Sequence, residues 1–260
     1  MRWHIPESHP RYKSLVAREK VVEAFLEGAV VPQGLIAQGR GEAFDYLLGE
    51  VSHPFALQAE RAAVAAMLLA QKPVISVNGN YAALAAAEIA ELSSELGVKV
   101  EVNIFYRTEE RVAKIEGMLR RAGVREVLGA SCEKTRLPNL ESPRGIVCKE
   151  GIYSADLVMV SIEDGDRTKA LRELGKKVIA IDLNPFSRTA QLAHITIVDE
   201  AVRATQNMVK IARELKGLDR PSLEKILSSF DNARALSEAF RAIMVRLEDA
   251  SKRGLLLEPP

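Results

Sequence analysis

From residue 73 onward the chain alternates short apolar runs, rich in β-branched residues, with longer helix-forming segments. Five strand–helix repeats of this kind are typical of parallel strands joined by helical crossovers. The runs show little polar alternation, which indicates burial on both faces of the sheet. We therefore predict an α/β protein with a mostly parallel, doubly wound sheet and helices on both faces. The predicted strands are 73–77, 100–105, 125–130, 155–162, 177–183 and 194–198, with 146–151 as a weaker candidate.

Four of these strands, 73–77, 100–105, 155–162 and 177–183, are expected to lie parallel and adjacent in one sheet. The predicted helices are 11–28, 55–71, 82–96, 108–122, 165–174, 186–193, 199–216 and two more after Asp219. Residues 31–50 contain glycines at 34, 39, 41 and 49, so we predict short helical turns linked by bends there. The organisation expected is a single α/β domain over 1–260, with a helical N-terminal region (1–72), a core (73–216) and C-terminal helices (217–260).

The charge balance excludes several classes of protein. Lys and Arg number 36 and Asp and Glu 35, so the net charge of +1 gives no support to a nucleic-acid or membrane-surface binder. The longest uninterrupted apolar run, 62–70, is about half a bilayer span, and the first residues lack an apolar signal segment. Two cysteines, Cys132 and Cys148, are too few for a disulfide framework or a four-ligand zinc site. We expect a soluble, cytoplasmic protein.

Ligands of open α/β sheets bind beyond the carboxyl ends of the strands, so the residues after each strand are the candidate site. The first strand ends in Asn78-Gly79-Asn80. Gly79 permits a tight turn or a positive φ, and Asn80 can cap the next helix. Free amides at that helix start suit a phosphate or a carboxylate, while the alternative is a plain capped turn.

A second candidate segment follows the strand at 177–183. Asp182 ends an apolar strand, and Asn184 can cap a helix that starts at Pro185. Arg188 then lies in the first turn, where its charge opposes the helix dipole. A bound anion would explain this placement, and the alternative is a salt bridge between Asp182 and Arg188.

Other motifs are weaker. Arg40 lies between two glycines that would let it reach a ligand, and Arg18 lies on the polar face of the first helix. The acids of 163–166 suit Mg²⁺ or a helix cap, of which the cap is favoured. The chain has no G-x-x-x-x-G-K-[ST], no G-x-G-x-x-G, no G-x-S-x-G and no H-E-x-x-H, and its four histidines show no metal-ligand spacing.

Four motifs taken together resemble one family over essentially the whole chain. They are SHPRYxSLxxRE (8–19), GLIAxGRGEAFDYLxGE (34–50), SVNGN (76–80) and IDLNPxSRTA (181–190). The family they resemble is the archaeal phosphopantothenate synthetases, or 4-phosphopantoate–β-alanine ligases. Tyr81 departs from the pattern, since a small residue is expected after NGN.

The resemblance implies a Rossmann-like core, a homodimer, and ATP with Mg²⁺ as cosubstrate. The implied reaction joins 4-phosphopantoate to β-alanine in coenzyme A biosynthesis and releases AMP and diphosphate, with an acyl-adenylate as our expected intermediate. It implies ATP binding by seven residues, which are Arg18, Arg40, Asp182, Leu183, Asn184, Arg188 and Thr189. Asn78, Gly79 and Asn80 are expected to bind the acid substrate. Catalytic residues and metal ligands are not predicted. The alternatives are a nicotinamide-dependent oxidoreductase and a non-enzymatic nucleotide-sensing protein.

Overall fold

A six-stranded, wholly parallel sheet forms the centre of the computed structural model, which describes residues 5–254. Its strands are β1 (Pro73–Val77), β2 (Lys99–Val102), β3 (Val127–Leu128), β6 (Leu157–Ser161), β7 (Lys177–Ile181) and β8 (Ile195–Ile197). Their order is β3-β2-β1-β6-β7-β8, so the direction of winding reverses between β1 and β6. The expected neighbours β2, β1, β6 and β7 are therefore confirmed as parallel and adjacent.

The helices surround this sheet and extend it at both ends. They are α1 (Tyr12–Leu26), α2 (Pro32–Leu48), α3 (Pro54–Leu69), α4 (Gly79–Leu96), α5 (Glu109–Arg121), α6 (Gly165–Glu173), α7 (Arg188–Leu192), α8 (Ala201–Leu215), α9 (Arg220–Ser228) and α10 (Asn232–Arg253). The predicted single domain of 1–260 extends past the described residues at both ends.

Alternate residues of each strand pack into two separate cores, which is why the strands are apolar throughout. On β6, Leu157 and Met159 join the core under α3, α4, α5 and α8. Val158 and Val160 join the opposite core, with residues of α6 and of the segment 137–155. Burial on both faces thus accounts for the missing polar alternation.

The segment 146–151 is only partly a strand, and it lies outside the central sheet. Residues Ile146–Cys148 (β5) pair antiparallel with Lys134–Arg136 (β4), and a π-helical turn follows at Lys149–Tyr153. The two cysteines form a disulfide, Cys132–Cys148, beside this ribbon. Two cysteines are too few for a disulfide framework, as expected from the sequence, but they form this one bridge, which closes the loop carrying Arg144.

Residues 32–48 form one continuous helix, α2, so the predicted bends at Gly34, Gly39 and Gly41 are wrong. Tertiary contacts outweigh the low helix propensity of glycine here. Asn80 donates to Gly34 O, Leu183 lies against Gly41, and Arg203 binds Asp45. These partners follow β1, β7 and β8, so α2 extends across the carboxyl ends of the strands.

Candidate functional site

The first predicted cluster, Asn78-Gly79-Asn80, lies where the winding of the sheet reverses. Asn78 rather than Asn80 caps α4, because its Oδ1 accepts from Tyr81 N at 3.0 Å. Asn80 is buried and donates to Gly34 O at 2.7 Å instead. The expected cap at Asn80 is therefore wrong.

Glycine is required at position 79 because neighbouring atoms approach its Cα closely, and not because of a positive φ. It is the first residue of α4, and a β-carbon there would lie 2.4 Å from Ala29 O and 3.0 Å from Arg111 Nη2. Tyr81, which departs from the family pattern, is fully buried, and its hydroxyl hydrogen-bonds Thr205 Oγ1 at 2.8 Å.

The segment 161–163 lies between the two predicted clusters. Asn78 Nδ2 donates to Ser161 O and Ile162 O, and Thr189 Oγ1 donates to Glu163 O. Ile162 has a φ of +51°, which is rare for a β-branched residue. Strained backbone of this kind is concentrated at binding and catalytic sites. Asn78 and Thr189 thus hold this segment from its two sides.

The second predicted cluster is the loop after β7. Asp182 accepts from Asn184 N at 2.9 Å and from the Ser187 hydroxyl. Burial raises the pKa of Asp182, although these two hydrogen bonds and the charge of Arg40 oppose the shift. The helix begins at Arg188 with Ser187 as its cap, so the prediction of a helix from Pro185 capped by Asn184 is wrong. Asn184 instead accepts from Phe186 N.

Arg188 pairs with Asp166, not with Asp182. The Arg188 Nη2–Asp166 Oδ1 distance is 2.9 Å, and the two side chains are 65% and 71% exposed. The alternative of an Asp182–Arg188 salt bridge is therefore wrong. A pair this exposed contributes little to stability, about 0–1 kcal/mol. The Arg188 side chain is accessible to a ligand.

Arg40 and Arg18 reach this region from α2 and α1. Arg40 is exposed, and its charge is felt by Asp182. Arg18 makes a bidentate pair with Glu42 through Nε at 2.7 Å and Nη2 at 2.8 Å. The hydrogen bond to Glu42 raises the pKa of Arg18. Arg11 and the Tyr46 hydroxyl also donate to Glu42, so two cations share one carboxylate.

A buried ionic cluster that the sequence did not predict lies beneath the segment 161–163. Glu163 accepts from Arg144 Nη1 at 2.8 Å and from Arg167 Nη1. Burial works to raise the pKa of Glu163, but the two guanidinium groups hold it below its usual range. Asp164 caps α6 through Arg167 N, which confirms the cap that was favoured for these acids.

A second polar network lies at the carboxyl end of β8. Arg203 donates to Asp45 and to Asp199, each at 2.6 Å through Nη2. Glu60, fully buried nearby, accepts a long hydrogen bond from Asn207 at 3.4 Å. Burial and the charge of Asp199 raise the pKa of Glu60 to about 9.

The predicted site residues therefore lie along one edge of the sheet, with α2 across it. Leu183 approaches α2 at Gly41, with 3.7 Å between its Cδ1 and the position of a β-carbon there. Arg18 binds Glu42 of α2. The sequence did not predict Arg144 and Arg167, which pair with Glu163 in a buried cluster. Arg144 precedes Glu163 by 19 residues, and Arg167 follows it by four. Only Glu163 carries a sequence signal, since it follows the most apolar strand.

Cation-rich turns at the carboxyl edge of a doubly wound sheet are typical of α/β enzymes that bind phosphorylated ligands. Residues 55–246 match the family model described as phosphopantothenate/pantothenate synthetase. A relative from Thermococcus kodakarensis named 4-phosphopantoate–β-alanine ligase is 51% identical over 253 residues, which is 97% of each chain. Relatives of the same name from Methanosarcina mazei (52% identical; 94% of this chain, 96% of the relative) and Methanospirillum hungatei (48%; 94% and 98%) are similar. The chain belongs to this family.

Family membership makes the chain an enzyme, a ligase connected with phosphopantothenate synthesis, and not an oxidoreductase or a sensor. A ligase of this family takes small-molecule substrates and uses ATP as its cosubstrate. Within residues 5–254 no helix has the length and apolar character to span a membrane. The same residues contain no group of three or more His, Cys, Asp or Glu side chains arranged to hold a metal ion.

Proposed function

We propose that this enzyme condenses 4-phosphopantoate with β-alanine to 4′-phosphopantothenate, at the expense of ATP, and releases AMP and diphosphate in coenzyme A biosynthesis. The observation that carries the proposal is identity of about half over nearly the full length of relatives that bear this ligase name. A cytoplasmic location belongs to the same proposal, because ATP is consumed there.

The nucleotide site in this proposal lies between α2 and the loop after β7. Its residues are Arg18, Arg40, Asp182, Leu183, Asn184, Arg188 and Thr189. Three arrangements support it: Arg188 is exposed at a helix start, Arg40 is exposed beside Asp182, and two arginines share Glu42. Asp182 is placed to bind ribose hydroxyls or the adenine edge, and the arginines to bind phosphates.

The acid site in this proposal is the turn Asn78-Gly79-Asn80. Asn78 and Asn80 use their side chains to hold Ile162 and α2 in place, so they act here by positioning. The start of α4 then faces the ligand with its backbone amides. Both sites lie along the edge that α2 crosses, which allows the two substrates to meet.

The proposed chemistry is adenylation followed by amide formation. A carboxylate oxygen of 4-phosphopantoate attacks the α-phosphorus of ATP, and diphosphate leaves. The neutral amine of β-alanine attacks the acyl carbon, AMP leaves with the bridging oxygen, and the amine proton passes to solvent or to a basic group. No protein nucleophile is needed, because positioning and charge stabilisation supply most of the rate.

Mg²⁺ fits this site only together with the nucleotide. Protein sites for Mg²⁺ usually supply one or two carboxylates and leave the other positions to water and substrate phosphates. Asp164 Oδ2 is a buried carboxylate oxygen that accepts no hydrogen bond in the described part of the chain and lies 3.4 Å from Arg144 Nε, and we propose it as a protein ligand that would exchange this ion pair for the metal. Mg²⁺ would neutralise charge on the phosphates.

A homodimer completes the proposal. The terminal helices expose apolar side chains, namely Leu26 on α1 and Met244, Val245 and Leu247 on α10. Exposed apolar surface of this kind often marks a protein–protein interface.

The test is incubation of the purified protein with ATP, 4-phosphopantoate and β-alanine, followed by chromatography of nucleotides and product. We expect AMP and 4′-phosphopantothenate in equal amounts, with both products dependent on all three substrates. ADP formed in step with the product would contradict the proposed chemistry. Absence of any product would contradict the proposed function.

A further inference from the structure

Arg111, in the first turn of α5, is held over the start of α4 by neutral acceptors. Its Nε donates to Ala29 O and its Nη1 to Tyr106 O, each at 2.8 Å. Its Nη2 has no acceptor within residues 5–254 and lies 3.0 Å from the position of a β-carbon on Gly79. The guanidinium is therefore fixed in place with one nitrogen left free.

Within residues 5–254 no carboxylate pairs with Arg111, in contrast to most of the arginines near the candidate site. Arg18, Arg144, Arg167, Arg188 and Arg203 each pair with an acid. Burial and the nearby charge of Arg144 lower the pKa of Arg111. Two guanidinium groups are thus brought near each other while one of them has no counter-ion. Such an arrangement favours an anionic ligand.

Two further features of the same place favour an anion. The helix α4 begins here and is kinked at Ala85, and its first turn carries partial positive charge and amides without an intrahelical partner. Ser161 is 1% exposed, and its hydroxyl has no hydrogen-bond partner in the described chain. By strand alternation it lies on the same sheet face as Met159, which packs in the core with α4. Its carbonyl accepts from Asn78, so it adjoins the α4 turn.

We propose that Arg111, the N-terminus of α4 and the Ser161 hydroxyl bind the phosphate group of the acid substrate. Arg111 thereby selects a phosphorylated acid over the same acid without phosphate. This inference rests on the proposed function and assigns its specificity to one side chain. The free Nη2 of Arg111 can donate to a phosphate oxygen, and the guanidinium charge attracts the dianion, whereas a neutral hydroxyl would gain only the hydrogen bond.

The kinetic test compares Arg111→Gln with Arg120→Gln as a matched control. Arg120 lies on the same helix and also donates to a backbone carbonyl, Val127 O, but away from the carboxyl edge. We expect Arg111→Gln to lower kcat/KM for 4-phosphopantoate about 30- to 1000-fold, while KM for ATP and for β-alanine changes about twofold or less. The preference for 4-phosphopantoate over pantoate should fall by a similar factor. An Arg111→Gln variant that keeps the preference of Arg120→Gln would overturn the inference.

If Arg111→Gln does not fold, chemical footprinting of the wild-type protein tests whether Arg111 binds the phosphate group. Phenylglyoxal modifies accessible arginines, and mass spectrometry locates the modified residues. We expect 4-phosphopantoate to protect Arg111 at concentrations at which pantoate does not, with Arg120 unprotected by either. Equal protection by both acids, or none, would contradict the inference. If the wild type forms AMP and product while Arg111 fails both tests, the specificity assignment is wrong and the ligase function stands.

Discussion

At the scale of single residues, the site owes its shape to a few side chains that bind backbone rather than ligand. Asn78 holds Ile162 in its left-handed conformation, and Thr189 holds the carbonyl of Glu163. These contacts leave Arg188 and Arg40 as exposed cations at the same edge. We therefore expect substitutions of the residues that position the backbone and of the residues that bind phosphate to have different effects on stability and activity.

Replacing Arg188 with alanine should affect activity far more than stability. Its ion pair with Asp166 is exposed, so the free energy of unfolding should change by less than about 1 kcal/mol. Loss of a charge-assisted phosphate contact should lower kcat/KM for ATP about 30- to 1000-fold. Steady-state kinetics and urea unfolding measure the two effects. Asp166→Asn, which removes the partner and keeps the cation, should retain near wild-type kinetics. A less stable Arg188→Ala protein with normal ATP kinetics would show that Arg188 is structural.

Glu60 should make stability depend on pH. Its pKa is raised to about 9 in the folded protein, against about 4.3 in the unfolded chain, so the folded state binds the extra proton. The stabilisation is fully present below about pH 4.3 and is lost as the pH rises toward 9, by up to about 1.4 kcal/mol per pH unit. Glu60→Gln should remove this slope and gain stability over the wild type between pH 5 and 8, as measured by urea unfolding.

Glu214→Gln is a suitable control for this experiment, because Glu214 is exposed and forms an ion pair with Arg61, which is also exposed on the surface. Its stability should follow the wild-type pH dependence. Parallel curves for Glu60→Gln and the wild type would show that Glu60 is ionised in the folded protein.

The sequence predicted correctly which kinds of side chain form caps and ion pairs, but it often predicted the wrong partner for each of them. Both Asn78 and Asn80 have side chains that can cap a helix, and only the approach of Gly34 decides which one does so. Arg188 was correctly placed at a helix start, but its partner Asp166 lies in the first turn of a different helix, α6. The disulfide between Cys132 and Cys148, and the pair Arg144–Glu163, follow from the path of the chain and have no local pattern.

At the scale of elements, α2 brings together the parts of the candidate site. The strands of the sheet were predictable because burial on both faces leaves an unbroken apolar signal. The α2 helix was not, because contacts with Asn80, Leu183 and Arg203 stabilise it against three internal glycines. Gly39 is the most informative of these, since nothing lies within 4 Å of a β-carbon placed there.

Gly39→Ala should therefore stabilise the free protein and impair the enzyme. Alanine is favoured over glycine within a helix by about 0.5–1 kcal/mol, and no protein atom opposes it here. If ATP lies against the turn of α2 that carries Gly39 and Arg40, the added methyl group should lower kcat/KM for ATP roughly tenfold. Gly117→Ala in α5, where only the end of the Arg121 side chain is near, is the control. Greater stability with unchanged kinetics would show that the nucleotide does not contact α2 at Gly39.

At the scale of the whole molecule, we propose that the protein is a homodimer. Light scattering at micromolar concentration should return twice the 28.6 kDa of one chain. Met244→Glu together with Val245→Glu should shift the mass toward the monomer, because both side chains are exposed on α10. Leu174→Glu, at an exposed apolar residue after α6, should leave the mass unchanged. A wild-type monomer would contradict the proposal. The division of 1–260 into one domain with helical ends also stays a prediction.

The central claim is that the carboxylate of the acid substrate attacks the α-phosphorus of ATP in this protein. Synthesis with 4-phosphopantoate labelled with ¹⁸O in both carboxylate oxygens tests it directly, since the bridging oxygen leaves with the nucleotide. We predict one ¹⁸O atom in each AMP released and none in diphosphate, as read by mass spectrometry. Label in inorganic phosphate, with ADP as the nucleotide product, would contradict the account.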